Sequence, residues 1–459
     1  MHKAALGRPC CFQLPHILGS VYSLSDFDQT SVRLARAWLM LGIAALAGAG
    51  LLAVLLALSR TPGVQDLLPQ GDFFRAALIV HVDLSVLIWF MAFAAVLWSL
   101  AGSGRFAALG VAGVGLASVG TVLMVVSPFF PDARPLLNNY IPILRQPVFF
   151  VGLMLAGAGF ALAMLRGLAT IRFAIAEPAR LAVALSTVIG TMAFAVTALA
   201  WAMLPDELAG QGYFEMLFWG GGHVLQFQHA LLAAVAWCWL ADALGVPPRL
   251  TFARASALFA LAALPVLAVP LILIVAPAGS GEHVAYFARL MEFGHPLLLP
   301  LLVLALVALW PARGQVSPAK SALAASLTLF VVGGVLGYLI RGVNVVIPAH
   351  YHGAIVGVTL AFMGLTYVLL PKLGFGEANG RMARWQPYVY GGGQLLHVLG
   401  LAWSGGYGVQ RKVAGAEQML VTLPQKLGMG LMGLGGLIAV IGGVIFVLVC
   451  LKAMLGGRK

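Results

Sequence analysis

Long apolar segments alternate with short polar ones along the chain from residue 33 onward. Each apolar run has twenty or more residues, so as an α-helix rising about 1.5 Å per residue it can cross the hydrocarbon core of a bilayer. The polar segments between the runs are too short to form a separate soluble domain. The pattern predicts twelve membrane spans, at residues 33–59, 75–101, 105–127, 146–165, 180–203, 213–243, 252–277, 283–311, 317–341, 346–371, 386–408 and 427–453.

The composition supports a membrane protein. Of the 459 residues, 61% are hydrophobic and only 9% are charged, which excludes a water-soluble protein. We therefore predict an all-α, polytopic membrane protein with one twelve-helix domain over residues 33–455. Residues 1–32 are more polar and are predicted to form a cytoplasmic N-terminal tail. This tail does not resemble a cleavable signal peptide, because the first apolar run is long enough to span the membrane and remain there.

The distribution of Lys and Arg predicts how the spans are oriented. With the N-terminus in the cytoplasm, the inner segments carry 18 of the 27 Lys and Arg residues, the outer segments carry 8, and Arg289 lies within a span. Because cytoplasmic loops are enriched in these residues, both termini are predicted to be cytoplasmic, in a bacterial inner membrane. This topology explains the net charge of +12, and nothing in the sequence points to nucleic acid.

Eight of the ten histidines fall within predicted spans or at their ends, where ionisable side chains are rare unless they have a partner or a function. His81, His223, His295, His350 and His352 are predicted to lie in the outer half of the membrane. His350 and His352, in "VIPAHYHGAIVG", are about 200° apart around a helix, so they leave opposite faces and cannot easily share one metal ion. Neutral imidazole is a good axial ligand for heme iron, and the pattern predicts a helix between two hemes. For three other histidines a structural hydrogen-bonding role is predicted: His229, His283 and His397.

These residues resemble those of subunit I of the heme-copper oxidase superfamily, which includes cytochrome c oxidases and nitric oxide reductases. The resemblance covers about residues 33–453 and implies the twelve-transmembrane-helix bundle of that subunit. In the family, the first histidine of a His-x-His segment binds the high-spin, catalytic heme and the second binds the low-spin heme, which implies these roles for His350 and His352. "HVDLSVLIWF" looks like the segment that carries the other low-spin ligand, here His81. The resemblance thus implies two hemes, for which the b type is expected.

Three further segments extend the resemblance. "LFWGGGHVLQF" in span six is similar to the Leu-Phe-Trp-x-x-Gly-His segment whose histidine, here His223, binds a second metal beside the catalytic heme. "RPLLNNYIPI" resembles the Pro-Arg-x-Asn-Asn segment before span four, and "HVLGLAWSGGYGVQRK" resembles the stretch whose cations contact heme propionates. The last likeness implies heme contacts for Arg411 and Lys412, and a cation pair beside carboxylates is also favourable on charge grounds alone.

The sequence departs from the family at the second metal. Copper-containing members use a His-His pair in span seven, whereas residues 252–277 contain no histidine. Oxygen reductases use a tyrosine near this site, but Phe227 stands four residues after His223 and span seven contains no tyrosine. In "RLMEFGHP", Glu292 and His295 are three residues apart and are predicted to share a helix face and to complete a site with His223, for non-heme iron or copper. A hydrogen bond between Glu292 and His295 is the alternative.

Several functions remain open on the sequence. The first is a membrane-bound respiratory heme oxidoreductase that passes electrons from a low-spin to a high-spin heme and reduces a small gas, NO in preference to O2, with His350, His223 and Glu292 as catalytic residues. Alternatives are a non-catalytic electron carrier or gas-sensing homologue with a decayed site, an oxygen-reducing oxidase with an atypical site, and a transporter whose histidines line a proton path. For the oxidoreductase, the expected partners are an electron-donor subunit, cytochrome c or quinol, the gas, and membrane lipid.

Overall fold

The computed structural model describes residues 22–64 and 72–457, most of which are helical. In this part of the chain twelve helices are long enough to cross a membrane; eleven also have the composition of a membrane span, and the more polar one is Arg381–Gly406. In chain order, helices α1 to α12 are Gln29–Ser59, Phe74–Ala101, Ala107–Phe129, Pro147–Thr170, Pro178–Met203, Gly210–Ala243, Phe252–Val275, Gly281–Leu309, Pro318–Tyr338, Val346–Lys372, Arg381–Gly406 and Leu423–Leu455. The predicted all-α architecture of twelve membrane helices is confirmed.

Local capping signals decide where several helices begin. Helix α1 begins at Gln29, four residues before the predicted span, because the side chain of Asp28 accepts a hydrogen bond from the Ser31 backbone N–H at 2.9 Å. Helix α12 begins with a capping box, in which the side chains of Thr422 and Gln425 each accept a hydrogen bond from the other's backbone N–H. Of the predicted tail, residues 1–21 lie outside the described residues.

Four of the membrane helices contain a short segment of different pitch within the described residues, and the one in α3 is a 3-10 turn at its end, Ser127–Phe129. A π-helical turn covers Asp83–Ile88 in α2, and 3-10 turns occur at Leu264–Ala268 in α7 and at His295–Leu298 in α8. The second residue of each 3-10 turn is a proline, which cannot donate the backbone hydrogen bond of a regular α-helix. The interruptions in α2 and α8 lie beside predicted site residues.

Small residues bring neighbouring helices into close backbone contact. At the crossing of α9 and α10, a Cβ on Gly333 would lie only 2.2 Å from the backbone nitrogen of Ala354. At the crossing of α11 and α12, a Cβ on Gly400 would lie 2.4 Å from the backbone nitrogen of Met432. Such close approach is common where membrane helices pack through small residues. These crossings fix the position of α10 and α11, which carry three of the histidines in the spans.

Three helices form the buried centre of the bundle. The most apolar windows of α2, α6 and α10 are 89%, 89% and 83% buried, whereas those of the other apolar helices are 50% buried or less. These central helices carry His81, His223, His350 and His352. Side chains on a helix surrounded by other helices face protein rather than lipid, so the histidines can reach partners inside the bundle.

A two-stranded hairpin between α3 and α4 covers one end of the bundle, here named the hairpin end. Strand β1, Arg134–Leu136, pairs antiparallel with strand β2, Ile143–Arg145. In the turn between them, the backbone N–H and the side chain of Asn139 both donate to the carboxylate of Glu215, near the start of α6. Because successive helices run in alternate directions, the even-numbered helices all begin at this end.

Candidate functional site

His350 lies about one turn into α10 from the hairpin end, with its ring turned towards α9. Its Nδ1 is 2.7 Å from the backbone oxygen of Gly333, and a Cβ on Gly337 would lie 2.8 Å from the ring, so this glycine makes room for it. A carbonyl oxygen only accepts hydrogen bonds, so Nδ1 carries the hydrogen and the neutral ring keeps its lone pair on Nε2. Metal-binding histidines are held in this way, by an acceptor on the other ring nitrogen.

His81 is oriented in the same way near the start of α2. Its Nδ1 is 2.9 Å from the backbone oxygen of Ala49 in α1, which leaves Nε2 free to bind a metal. The π-helical turn begins two residues later, at Asp83, and Ser85 Oγ donates to the backbone oxygen of His81 at 2.7 Å. Single π turns within α-helices occur frequently at functional sites.

His352 leaves α10 towards a different neighbour from that of His350. Its ring lies 4.8 Å, centroid to centroid, from the ring of His397 in α11, and both rings lie within electrostatic range of His81. The two histidines of α10 therefore enter separate environments, as their spacing predicts. From the sequence, only a structural role is predicted for His397. Spacing gives no sign of its contact with His352, because the contact joins two different helices.

His223 lies on α6 in a cage of aromatic rings. Its Nδ1 is 2.6 Å from the backbone oxygen of Trp219, one turn earlier, and the residue is 4% exposed. The ring of Tyr140, from the turn of the hairpin, lies 4.9 Å from the His223 ring. Tyr140 also covers Gly222, where a Cβ would meet the tyrosine ring at 2.2 Å. Sequence reasoning missed Tyr140, although it lies within the segment "RPLLNNYIPI".

Glu292 and His295 lie in different surroundings. The His295 ring lies 4.4 Å from the ring of Phe227 in α6, and its Nε2 is buried with no hydrogen-bond partner among the described residues. Glu292 is exposed, and its backbone oxygen accepts a hydrogen bond from the Tyr338 hydroxyl at 3.0 Å. The backbone N–H of His295 still bonds to the backbone oxygen of Met291, so the α-helical spacing holds up to His295. The two residues therefore differ in their surroundings: His295 contacts α6, whereas Glu292 is exposed.

The predicted ligand set of His223, Glu292 and His295 is therefore not assembled. Within residues 22–64 and 72–457, no three His, Cys, Asp or Glu side chains are close enough to hold a metal ion. His295 and His283 do lie in the neighbourhood of His223. His283 is fully buried, with its Nδ1 3.1 Å from the backbone oxygen of Ala276 and its Nε2 without a partner in the described part of the chain. Three imidazoles thus surround one region of the bundle without converging on a single point.

Arg411 and Lys412 lie in the loop between α11 and α12, and both contact the turn of the hairpin. Arg411 Nη2 donates to Asn139 Oδ1 at 3.2 Å, and the Lys412 ammonium group donates to the backbone oxygen of Leu137. Burial lowers the pKa of Lys412 to about 8, with a further lowering by Arg411 that Glu215 opposes. The result is a half-buried cation pair at the same end of the bundle as the histidines.

Twelve membrane helices with partly or fully buried, carbonyl-anchored imidazoles near one end define a polytopic membrane protein whose interior offers imidazole nitrogens as ligands. Residues 33–445 match the family model described as cytochrome c and quinol oxidase polypeptide I. The chain belongs to this family, whose members are heme-copper oxidase subunits I, and is accordingly a multi-pass membrane heme oxidoreductase by descent.

Two relatives and one solved structure are similar over most of their lengths. The chain is 30% identical to an uncharacterized protein of Rickettsia prowazekii (strain Madrid E), over 92% of this chain and 96% of the relative. It is also 30% identical to an uncharacterized protein of Aquifex aeolicus (strain VF5), over 76% of this chain and 88% of the relative. Its fold is similar to that of a heme-copper terminal oxidase solved by cryo-electron microscopy, with a TM-score of 0.66 at 15% identity, over 94% of this chain and 85% of the other.

Membership of this family implies heme cofactors and a second metal. The residues fit heme, because His81 and His350 present Nε2 from buried helices, with each ring held through Nδ1. They do not fit a second metal held by three protein ligands, because the described residues bring no such set together. His223 and His295 remain as two imidazoles beside the His350 side of α10.

Proposed function

We propose that the protein is the heme-binding subunit of a respiratory oxidoreductase that reduces a small gas, NO in preference to O2. The observation that carries this proposal is the shared orientation of His81 and His350, two imidazoles whose Nδ1 atoms are held by backbone oxygens of neighbouring helices. Both rings leave Nε2 available for iron. Heme, when bound, supplies electron transfer on one side of α10 and an open iron position for the gas on the other.

In this proposal, His81 and His352 hold a low-spin heme, His350 holds a high-spin heme, and both hemes are of the b type. Because His350 and His352 are two positions apart on one rigid helix, α10 sets the distance between the two sites. Arg411 and Lys412 contact heme propionates at the hairpin end, where a half-buried cation pair favours carboxylates.

The preference for NO follows from the residues around His223. Breaking the O–O bond needs an additional electron and proton, which oxygen-reducing members of the family take from a tyrosine, whereas joining two NO molecules needs only two electrons. Here Phe227 occupies one position from which such a tyrosine comes, and residues 252–275 contain neither tyrosine nor histidine. The Phe227 ring instead packs against His295.

Two observations favour other functions within the same family. The absence of a three-ligand metal set among the described residues favours a non-catalytic electron carrier or gas sensor. The contact of Tyr140 with His223 favours oxygen reduction, because it brings a tyrosine from the hairpin to the place where one from α6 or α7 is missing. Metal analysis separates the first alternative from an enzyme: heme without copper or non-heme iron supports the carrier, and one further metal per two hemes supports the enzyme.

The proposed setting is a bacterial inner membrane with both termini in the cytoplasm, which puts the hairpin end on the outer side. Electrons come from a partner subunit, from cytochrome c or from quinol, since the chain contains no Cys-x-x-Cys-His motif for attaching a heme of its own. A donor on the outer side would meet the loops that carry Tyr140, Arg411 and Lys412.

One spectroscopic experiment tests the heme assignments. Optical spectra of the reduced, purified protein, with and without carbon monoxide, are compared for His350→Ala, His352→Ala and His81→Ala. We expect His350→Ala to lose the carbon monoxide difference spectrum and the other two to lose the low-spin heme bands. His229→Ala is the control, because His229 is a buried histidine of α6 that packs on Phe90 and has no proposed ligand role. Unchanged pigment in His350→Ala and His352→Ala would refute the proposal.

Gas consumption by the wild-type protein tests the choice of substrate. With an artificial electron donor, we expect steady consumption of NO that exceeds that of O2. Rapid O2 consumption without loss of NO would reverse the preference. If neither gas is consumed by protein that holds both hemes, the non-catalytic alternative is correct.

A further inference from the structure

His352 differs from the other two histidines proposed to bind heme. The rings of His81 and His350 are each held by a backbone oxygen of a neighbouring helix. The His352 ring makes no hydrogen bond to any of the described residues. A metal-binding imidazole almost always donates its second N–H to an acceptor, which fixes the ring and strengthens it as a ligand. His352 therefore lacks the acceptor that the other two have.

His397 offers such an acceptor. Its Nδ1 is 2.9 Å from the backbone oxygen of Met432 in α12, so this nitrogen carries the hydrogen and Nε2 of the neutral ring keeps a lone pair. The centroids of the His352 and His397 rings are 4.8 Å apart. Two imidazoles joined by an N–H···N hydrogen bond have centroids about 5 Å apart, given a donor–acceptor distance of about 2.9 Å. A hydrogen bond between the two rings therefore fits their spacing.

The surroundings of His397 hold its ring in place. A Cβ on Gly436 would lie 3.3 Å from Nδ1 of His397, so the ring packs directly against the backbone of α12. At its other side the ring meets His352, with the two planes tilted by 60°. The two rings make no hydrogen bond to each other among the described residues, so the bond requires the His352 ring to turn about its Cβ–Cγ bond.

We propose that His397 is a positioning residue for the low-spin heme site. Its Nε2 accepts a hydrogen bond from Nδ1–H of His352, and its own Nδ1–H passes the interaction on to the backbone oxygen of Met432. The inference rests on the proposed function, because it takes His352 as the heme ligand. His397 thereby provides His352 with a hydrogen-bond acceptor for Nδ1–H, as the backbone oxygen of Ala49 does for His81 and that of Gly333 does for His350.

The consequence is a lower reduction potential at the low-spin heme. A ligand imidazole that donates a hydrogen bond is more basic, and a more basic ligand stabilises ferric iron more than ferrous iron. A chain of two hydrogen bonds that ends on a carbonyl strengthens this effect, since each bond polarises the next. Removal of the acceptor on His397 should therefore raise the potential.

Two substitutions at position 397 test the inference. His397→Leu removes the acceptor at similar volume, whereas His397→Gln keeps a side-chain oxygen that can accept from His352. The readouts are the midpoint potential of the low-spin heme in a spectroelectrochemical titration and the electron paramagnetic resonance spectrum of its ferric state. We expect a higher midpoint and a changed spectrum in His397→Leu, values close to wild type in His397→Gln, and no change in the control His229→Leu.

Each remaining outcome also decides the question. If His397→Leu loses the low-spin heme while His397→Gln retains it, the acceptor role is supported, because an amide can accept a hydrogen bond but is a poor heme ligand. A wild-type midpoint in His397→Leu overturns the inference, and so does loss of heme from both variants, which would make His397 a ligand or a folding residue. Retention of the low-spin heme in His352→Ala would instead show that the proposed function has assigned the wrong ligand.

Discussion

At the scale of single residues, the site is defined by which nitrogen of each imidazole is engaged. In His81, His223, His350 and His397 the Nδ1 atom lies within 2.6–2.9 Å of a backbone oxygen. Each of these contacts satisfies a polar group that would be costly to bury alone, and each leaves the other nitrogen for a second partner. The same contact thus serves stability and function.

Gly337 is predicted to control the space for the His350 ring. In Gly337→Ala the new methyl group would lie 2.8 Å from ring atoms of His350, so the ring must move or α9 must shift. Overpacking of this kind costs about 1–3 kcal/mol. We expect reduced occupancy of the high-spin heme, measured as a smaller carbon monoxide difference spectrum per protein. Gly334→Ala, on the same helix with nothing within 4 Å of its new methyl group, is the matched control and should match the wild type.

Lys412 is predicted to make the heme potential depend on pH. Burial, assisted by Arg411 and opposed by Glu215, lowers the pKa of Lys412 to about 8, so the side chain loses its charge as the pH rises through this region. A nearby cation favours ferrous iron, which carries the smaller positive charge, so loss of that cation should lower the heme midpoint potential. Bound heme propionates would raise the pKa of Lys412, so the pH range over which the potential falls would move to higher pH.

Two variants isolate this effect in potentiometric titrations between pH 7 and 10. Lys412→Arg keeps its charge throughout, so its heme midpoint potential should not change with pH. It should equal the value that the wild type has at low pH. In Lys412→Met the midpoint potential should also be independent of pH, but at a value below that of Lys412→Arg, because the charge is absent. If the midpoint potential falls with pH equally in the wild type and in Lys412→Met, a group other than Lys412 is responsible.

At the scale of helices, the sequence predicts length well and rotation poorly. Hydropathy gave residues 75–101 for a helix that runs over Phe74–Ala101, and 346–371 for Val346–Lys372, because span length is set by the thickness of the membrane. The exposure of Glu292 was not predictable in this way, since it depends on which face α8 turns towards its neighbours. The contact between His352 and His397 was also hidden, because it depends on how two helices face each other.

The crossing of α11 and α12 is predicted to depend on small residues. In Gly400→Ala the new methyl group would lie 2.4 Å from the backbone nitrogen of Met432 and 2.6 Å from the backbone oxygen of Gly428, so the helices must separate. We expect a loss of about 1–3 kcal/mol, seen as a lower midpoint of thermal unfolding in detergent. Gly392→Ala, on the same helix with open space around it, should unfold at the wild-type temperature. Equal unfolding of both variants would contradict tight packing at this crossing.

At the scale of the whole molecule, burial separates a central group of helices from a surrounding layer. The site histidines on α2, α6 and α10 could be found from sequence, because ionisable residues in apolar spans are conspicuous. The contacts at Asn139 could not be found from sequence. They join the hairpin, α6 and the loop between α11 and α12, which are far apart along the chain.

The orientation of the whole bundle in the membrane is the last prediction. The excess of Lys and Arg in the segments on one side predicts that the hairpin end faces outward and that both termini face the cytoplasm. Fusions of alkaline phosphatase after Gly408, at the hairpin end, should be active, because the enzyme folds only after export. Fusions after Gly376, at the opposite end, should be inactive, whereas green fluorescent protein fused there should fluoresce. The reverse pattern would invert the bundle and place the cation pair, the histidine rings and the entry point for electrons on the cytoplasmic side.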